Sequence, residues 1–509
     1  MKKIFIFLSL LILLSPLKAT PETKTHKPVS DNASEEASSL LEFLYSISGK
    51  YTLTGQHNYP NTRDRNTRFA RYYTGKTPVI FSIDWGHARE GDTDSYLARP
   101  DIVEECIKQH RSGSLITICW HAVPPTAEEP VTFRPVPGTP ADSLRSVQGR
   151  LLDDQFKEVL TPGSDLYRQW CKQVDSVAVY LKKLDDAGVP ILWRPYHEMN
   201  GNWFWWGGRT GEYSTRKLYI QLFDRLVHYH HLTNLVWVWS VDRFHRPDMY
   251  YSQYFPGSGY VDVLSLDVYG SDFKQDYYDS LRVLARGKPL ALAEAGNPPT
   301  PEILDKQPAW TFYATWAGMV RNTTRKQYVA LYNDPRILCK EDSTYWSILK
   351  SYRTACNLEQ LPVKVFDPPD FTGTWSFNED LSTLDSWGSS QVACKLKIVQ
   401  MADEITIEHS TIEEFTDTHI EEEQYKTDGT EYRTTFWNSP RITTVKWSDN
   451  KDSLIFESRI SFHRGDTIQE WKSKDIWTLE DDGWLLTIHS VSDSPWGRRD
   501  QTLAYKKEW

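Results

Sequence analysis

The sequence predicts an α/β chain in two parts: a (β/α)8 TIM barrel, then a smaller all-β domain built as a lipocalin-like barrel or a sandwich. Three observations carry that expectation. The 509 residues exceed what one ordinary hydrophobic core organises. Through residue 357, short apolar runs alternate with helical patterns. Past a stretch with three prolines at 361–370 (LPVKVFDPPD), the texture turns to short alternating segments divided by turn signals such as Asp428-Gly429 and Asp482-Gly483.

Lys2 and Lys3 precede the apolar run 4–14, and Ala19 offers a small residue for cleavage, so residues 1–19 read as a secretory signal peptide. The run is too short to span a bilayer comfortably, and nothing later looks transmembrane. Export to the periplasm, the cell surface or the medium is therefore expected. Residues 20–37 are polar and read as a disordered lead, residues 38–358 as the barrel domain, 359–370 as a semi-rigid linker and 371–509 as the β domain.

Eight strand candidates fall in the barrel: 51–55, 78–85, 115–121, 189–194, 234–240, 261–269, 289–294 and 310–316. Amphipathic stretches such as 165–187 and 215–231 lie between them, and 343–357 reads as the last helix. In the β domain the expected strands are 393–400, 404–409, 432–437, 441–447, 453–462, 475–479, 484–489 and 501–506. The acidic run Glu421-Glu422-Glu423 reads as a solvated face.

The net charge of −10 argues against nucleic acid, which calls for basic patches. Six cysteines (Cys106, Cys119, Cys171, Cys339, Cys356 and Cys394) are scattered without CxxC or metal-ligand spacing, and a Cys339–Cys356 pairing is left open. The cluster His228, His230 and His231 ends a helix, where dipole compensation explains it better than metal binding. No metal and no cofactor is expected, and neither is an oligomer.

Polar and aromatic residues recur at the strand ends: His57, Asp84, Trp120 with His121, His197 with Glu198, Trp239 with Asp242, Asp267 with Tyr269, Glu294, and Trp316. Such recurrence is the footprint of one active face. The densest element is Trp193-Arg194-Pro195-Tyr196-His197-Glu198-Met199-Asn200-Gly201-Asn202-Trp203-Phe204-Trp205-Trp206-Gly207. Aromatic faces beside a carboxyl suit sugar rings. Retaining glycoside hydrolysis needs two carboxyl groups roughly 5–5.5 Å apart. Glu198, closing the fourth strand, and Glu294, closing the seventh, can converge across one barrel mouth. Arg194 and His197 are candidates to orient them, and Tyr269 to hydrogen-bond the nucleophile. Trp193 and Trp237 read as core and His57 as structural; Trp205 and Trp206 are either a sugar platform or a packed loop, and Asp84 either binds a hydroxyl or caps a loop.

These motifs resemble glycoside hydrolase family 26, whose best-known members are endo-β-1,4-mannanases. The likeness rests on the run from His197 to Gly207, with Gly55-Gln56-His57, Trp120-His121, Asp267-Val268-Tyr269 and the strand ending in Glu294 in support. It implies a retaining (β/α)8 enzyme with Glu198 as acid/base and Glu294 as nucleophile. It also implies that His121, His197, Trp203 and Tyr269 line the subsite of cleavage, with Trp316 as a stacking platform. Arg194, Asp267 and Trp206 complete the expected binding set. Many members follow the stacking tryptophan with arginine; here Ala317 follows. The expected function is cleavage of internal bonds in β-mannan or galactomannan. The rivals are a β-glucanase or β-1,3-xylanase on the same fold, or a polysaccharide-binding protein without activity. The Gly373-Thr374-Trp375 start and Tyr505-Lys506-Lys507 close of the β domain resemble a small lipocalin-like barrel, whose aromatics either plug the interior or bind sugar.

Overall fold

The computed structural model describes residues 26–88, 95–358 and 369–508, except 386, 387, 390, 391, 402, 412–417, 437, 450, 465, 466, 481, 482 and 496. The expected signal peptide, the start of the lead, most of the linker and Asp482 lie outside the described residues.

Each of the eight expected runs overlaps one barrel strand, the first only at Gly55: β1 (Gly55–Asn58), β2 (Ile80–Asp84), β3 (Leu115–Trp120), β4 (Ile191–Pro195), β5 (Leu235–Asp242), β6 (Val263–Val268), β7 (Leu290–Ala295) and β8 (Trp310–Thr315). They pair in parallel and in order, and β8 returns to β1 through Gln56 and Thr315 to close the barrel. All eight strands are buried along their whole length, as expected where helices cover a parallel sheet. Closure brings the backbone of β8 close to β1. A Cβ at Gly55 would lie 2.2 Å from the Tyr313 carbonyl oxygen and 2.9 Å from the Ile80 Cβ.

The helix Glu35–Ile47 starts three residues inside the expected lead. Ser34 caps it by accepting from the Ala37 N–H, and Glu35 and Glu36 complement the dipole of its first turn. Leu40, Leu41, Leu44 and Ile47 form its apolar face and pack with Leu53, Val79, Leu115, Leu192, Val236 and Val263, most of them near the N-terminal ends of the strands. The chain is fixed earlier still, since the Val29 N–H donates to Asp262 Oδ1 at 2.8 Å. The floor of the barrel is thus sealed, leaving its C-terminal mouth for chemistry. The expected helices at 165–187 and 343–357 are Asp165–Asp186 and Ser343–Ala355. The one at 215–231 is α-helical over Thr215–Phe223 and widens to a π turn over Asp224–Tyr229. All six cysteines are free thiols, so Cys339 and Cys356 are not paired.

The second domain is one ten-stranded antiparallel sheet: β9 (Gly373–Phe377), β10 (Lys395–Gln400), β11 (Glu404–Thr411), β12 (His419–Lys426), β13 (Tyr432–Phe436), β14 (Ser439–Trp447), β15 (Ser453–Arg464), β16 (Thr467–Glu480), β17 (Leu485–Ser494) and β18 (Gly497–Lys507). Sequential strands pair in order except β12 with β13, and the last strand lies beside the first, with Trp375 opposite Lys507. This is the up-and-down order. Trp375, Ile398, Ile407, Leu454, Trp477 and Tyr505 are among the residues of its apolar core. The acidic run lies within β12: Glu421 and Glu422 are exposed, as expected of a solvated face, while Glu423 turns away from solvent to accept from Arg441 Nη1 at 2.7 Å. Trp484 of this domain stacks on Tyr72 at 4.6 Å and meets Phe69 edge-on, so the β domain rests on the helix Arg65–Thr74.

Gly55→Ala is expected to lower stability by about 1–3 kcal/mol, because the new methyl group meets backbone rather than a movable side chain. Urea denaturation measures this, and an unchanged midpoint would contradict the close approach of β1 and β8.

Candidate active site

The site is built where β4 ends. Tyr196 and Glu198 both take positive φ, 50° and 52°. Such backbone costs on the order of 1–3 kcal/mol per residue and persists only where surroundings enforce it. Here the Gly201 N–H donates to the Glu198 carbonyl at 2.9 Å, and the Gly208 N–H donates to that of Met199 at 2.9 Å. Asn200 ties the turn to the end of β5, donating to the Asp242 carbonyl at 2.7 Å and accepting from the Asp242 N–H at 2.8 Å. Gly201 is required for another reason. A Cβ there would lie 2.2–2.4 Å from ring atoms of Trp203. That indole donates to Glu198 Oε2 at 2.5 Å.

Glu294, at the end of β7, faces Glu198. Tyr269 donates its hydroxyl to Glu294 Oε1, and Arg194 Nη2 donates to Oε2 at 2.6 Å. Arg194 Nη1 also donates to Asp267 Oδ2 at 2.9 Å, while Ser240 donates to Asp267 Oδ1 at 2.8 Å. Oxygens of Glu198, Asp267 and Glu294 all lie within 4.8 Å of one another. Three buried carboxyl groups thus crowd one buried guanidinium. Burial works against the charge on Arg194, and Asp267 and Glu294 outweigh it. Burial first, then Glu294, pushes the Glu198 carboxyl well above the ordinary glutamate range. Burial likewise raises Asp267, with Arg194 opposing. Glu198, which has no cation bonded to it in this network, keeps its proton at neutral pH.

Above these groups lies a cavity of about 290 Å³. The expected residues Glu198, Glu294, His121, His197, Trp203, Tyr269 and Trp316 all line it. Trp316 stacks on His57 at 3.8 Å, and His57 in turn bonds Ser82 at 2.9 Å, in keeping with a structural histidine. Burial lowers the His57 pKa to about 3 and takes that of His197 well below the usual histidine value, so both rings are neutral.

Arg194 and Asp267 do not line the cavity; they stand behind Glu294 and position it. Trp206 corrects the expectation of a sugar contact. It is fully buried, stacks on Phe204 at 4.5 Å, and donates its indole N–H to the His197 carbonyl. Trp205 is buried too, donating to the Ala122 carbonyl, so this pair is a packed loop. Asp84 caps a loop, accepting from the Gly86 N–H at 2.7 Å. Four further residues line the cavity: Ser95, Phe133, Gln148 and Phe204. Phe204 belongs to the aromatic run already singled out. Phe133 and Gln148 come from a long irregular connection, and no periodicity could have signalled them. A main-chain bond from Gln148 to Phe133 and another from Gly149 to Trp203 hold that connection against the turn that follows β4.

Comparison with known proteins agrees with this geometry. Residues 29–342 match the profile described as Glycosyl hydrolase family 26. A mannan endo-1,4-beta-mannosidase of Thermothelomyces thermophilus is 32% identical over 333 residues, covering 64% of this chain and 63% of that enzyme, so the match spans a little under two thirds of its length. One from Bacillus subtilis is 27% identical over 374 residues, covering 67% of this chain and 96% of the relative. Among solved structures, GH26A from a Muricauda species is 38% identical with a TM-score of 0.56, covering 61% of this chain and 98% of its own. The barrel, the facing glutamates and these matches lead to one conclusion: the chain belongs to glycosyl hydrolase family 26.

Proposed function

We propose that this chain is an exported endo-β-1,4-mannanase that works by retaining double displacement. The observation that carries the mechanism is the approach of Glu198 and Glu294 to within 4.8 Å, oxygen to oxygen. That short approach favours direct attack by one carboxylate over the wider spacing, roughly 6.5–9.5 Å between carboxyl groups, that an inverting enzyme uses to seat a water. Glu198, raised by burial, protonates the departing glycosidic oxygen. Glu294, aimed by Arg194 and Tyr269, attacks the anomeric carbon and forms a glycosyl ester. Glu198, now a base, takes a proton from water as it cleaves that ester. The aromatic walls, Trp203 and Trp316, offer faces to sugar rings.

The substrate reading rests on the mannanases among the relatives. Export rests on the charged start and apolar run of residues 1–19. No helix among the described residues is long and apolar enough to cross a membrane.

The full chain is expected to release manno-oligosaccharides of mixed length from linear β-mannan and galactomannan, resolved by chromatography. Activity confined to mixed-linkage β-glucan or β-1,3-xylan would overturn the substrate but keep the mechanism. Binding without new reducing ends would sink the enzyme reading.

The electrostatics give a second expectation. Glu294 raises Glu198, so Glu294→Gln is expected to lower the Glu198 pKa, read by a pH titration of 13C-labelled glutamate. In the wild type Glu198 must be protonated to act, so kcat falls as pH rises through that raised value. An unshifted Glu198 in the variant would contradict the coupling.

A further inference from the structure

A carboxylate–histidine pair sits beside the two glutamates. Asp84, at the end of β2, is fully buried and does not reach the cavity. Its Oδ1 accepts from the Gly86 N–H at 2.7 Å. Its Oδ2 lies 2.6 Å from His121 Nδ1 and accepts from the Cys119 thiol at 3.0 Å. Cys119 stays a thiol because burial raises it well above its usual value. Burial works against the charge on Asp84, but the Gly86 N–H, the Cys119 thiol and the His121 ring are all hydrogen-bonded to it, and the carboxyl is held below the usual aspartate range. An ionised carboxylate can only accept, so the proton between the two belongs to His121 Nδ1.

His121 lines the cavity, and no other hydrogen bond to its ring is found among the described residues. Its histidine neighbours are uncharged: His197 lies 4.4 Å away ring to ring and His87 5.8 Å, and burial keeps both neutral. With Nδ1 carrying the proton, a neutral ring turns a bare Nε2 toward the cavity. The Trp203 N–H and the Tyr269 hydroxyl are already committed to Glu198 and Glu294.

We propose that Asp84 is a positioning residue that fixes the His121 tautomer, so that His121 Nε2 accepts a hydrogen bond from a hydroxyl of the sugar being cleaved. Nothing in this requires the sugar to be mannose. The kinetic arm rests on the glycosidase reading above, while the tautomer does not. Behind metal-bound histidines, loss of such a carboxylate typically costs 10- to 100-fold, and a loss of that order is expected here.

The test uses the full chain labelled with 15N-histidine, the His121 signals being those lost in His121→Asn. The expected spectrum has Nδ1 protonated and Nε2 bare. A proton on Nε2, in the other tautomer or as imidazolium, would overturn the proposal. Kinetically, Asp84→Asn is expected to lower kcat/KM on manno-oligosaccharides by on the order of 10- to 100-fold and to add nothing in the His121→Asn background. An undiminished loss in that background would make Asp84 merely structural and end the proposal. Should Asp84→Asn not fold, the wild-type spectrum decides alone. A wild type silent on every β-mannan would defeat the substrate reading and leave the spectrum to judge the dyad.

Discussion

Arg194 faces three buried carboxyl groups and bonds only two of them, Asp267 and Glu294. The rest of the site follows from that imbalance. One positive charge in a low-dielectric pocket cannot hold three negative ones, and the group left without a cation keeps its proton. That group is Glu198, whose direct partner is the neutral indole of Trp203. Two chemically identical side chains thereby differ in their surroundings, which in the proposed mechanism suits one to the part of acid and the other to that of nucleophile. The ion pair is buried because it must be. In water, the same charges would be screened and the difference between the glutamates would fade.

The barrel supplies this arrangement by geometry. Arg194 comes from β4, Ser240 from β5, Asp267 from β6 and Glu294 from β7, so four adjacent strands each add one member of the network. Their parallel pairing sets the side chains at one level of the mouth. Asp242 aligns with Asp267, and Asp267 with Glu294. The helix Glu35–Ile47 seals the opposite end. Left-handed backbone at Tyr196 and Glu198 then turns Glu198 toward Glu294, a strained geometry maintained by the hydrogen bonds of Gly201, Gly208 and Asn200.

Much of this was legible in the residues because barrel chemistry is confined to strand ends. All eight apolar runs overlap a barrel strand, the first only at Gly55, and seven of the ten expected site residues line one cavity. The failures have physical causes. Trp206 carries the same side chain as Trp203, and only packing decides which indole faces solvent. Phe133 and Gln148 arrive on an irregular connection whose course is fixed by main-chain bonds that leave no pattern in sequence. Glu423 looked like part of a solvated run until β12 set it beside Arg441 on β14. Asp84 offered two readings from sequence, and only its 2.6 Å approach to His121 revealed the third.

The central claim is that Glu198 and Glu294 act from one short separation by double displacement. The most direct measurement is proton NMR of the first products formed from linear β-manno-oligosaccharides, before mutarotation mixes the anomers. The account requires the new reducing end to appear as the β anomer and to drift toward the equilibrium mixture only later. An α anomer appearing first would mean inversion by a single attack of water. The short approach of the two glutamates could not then be the working geometry.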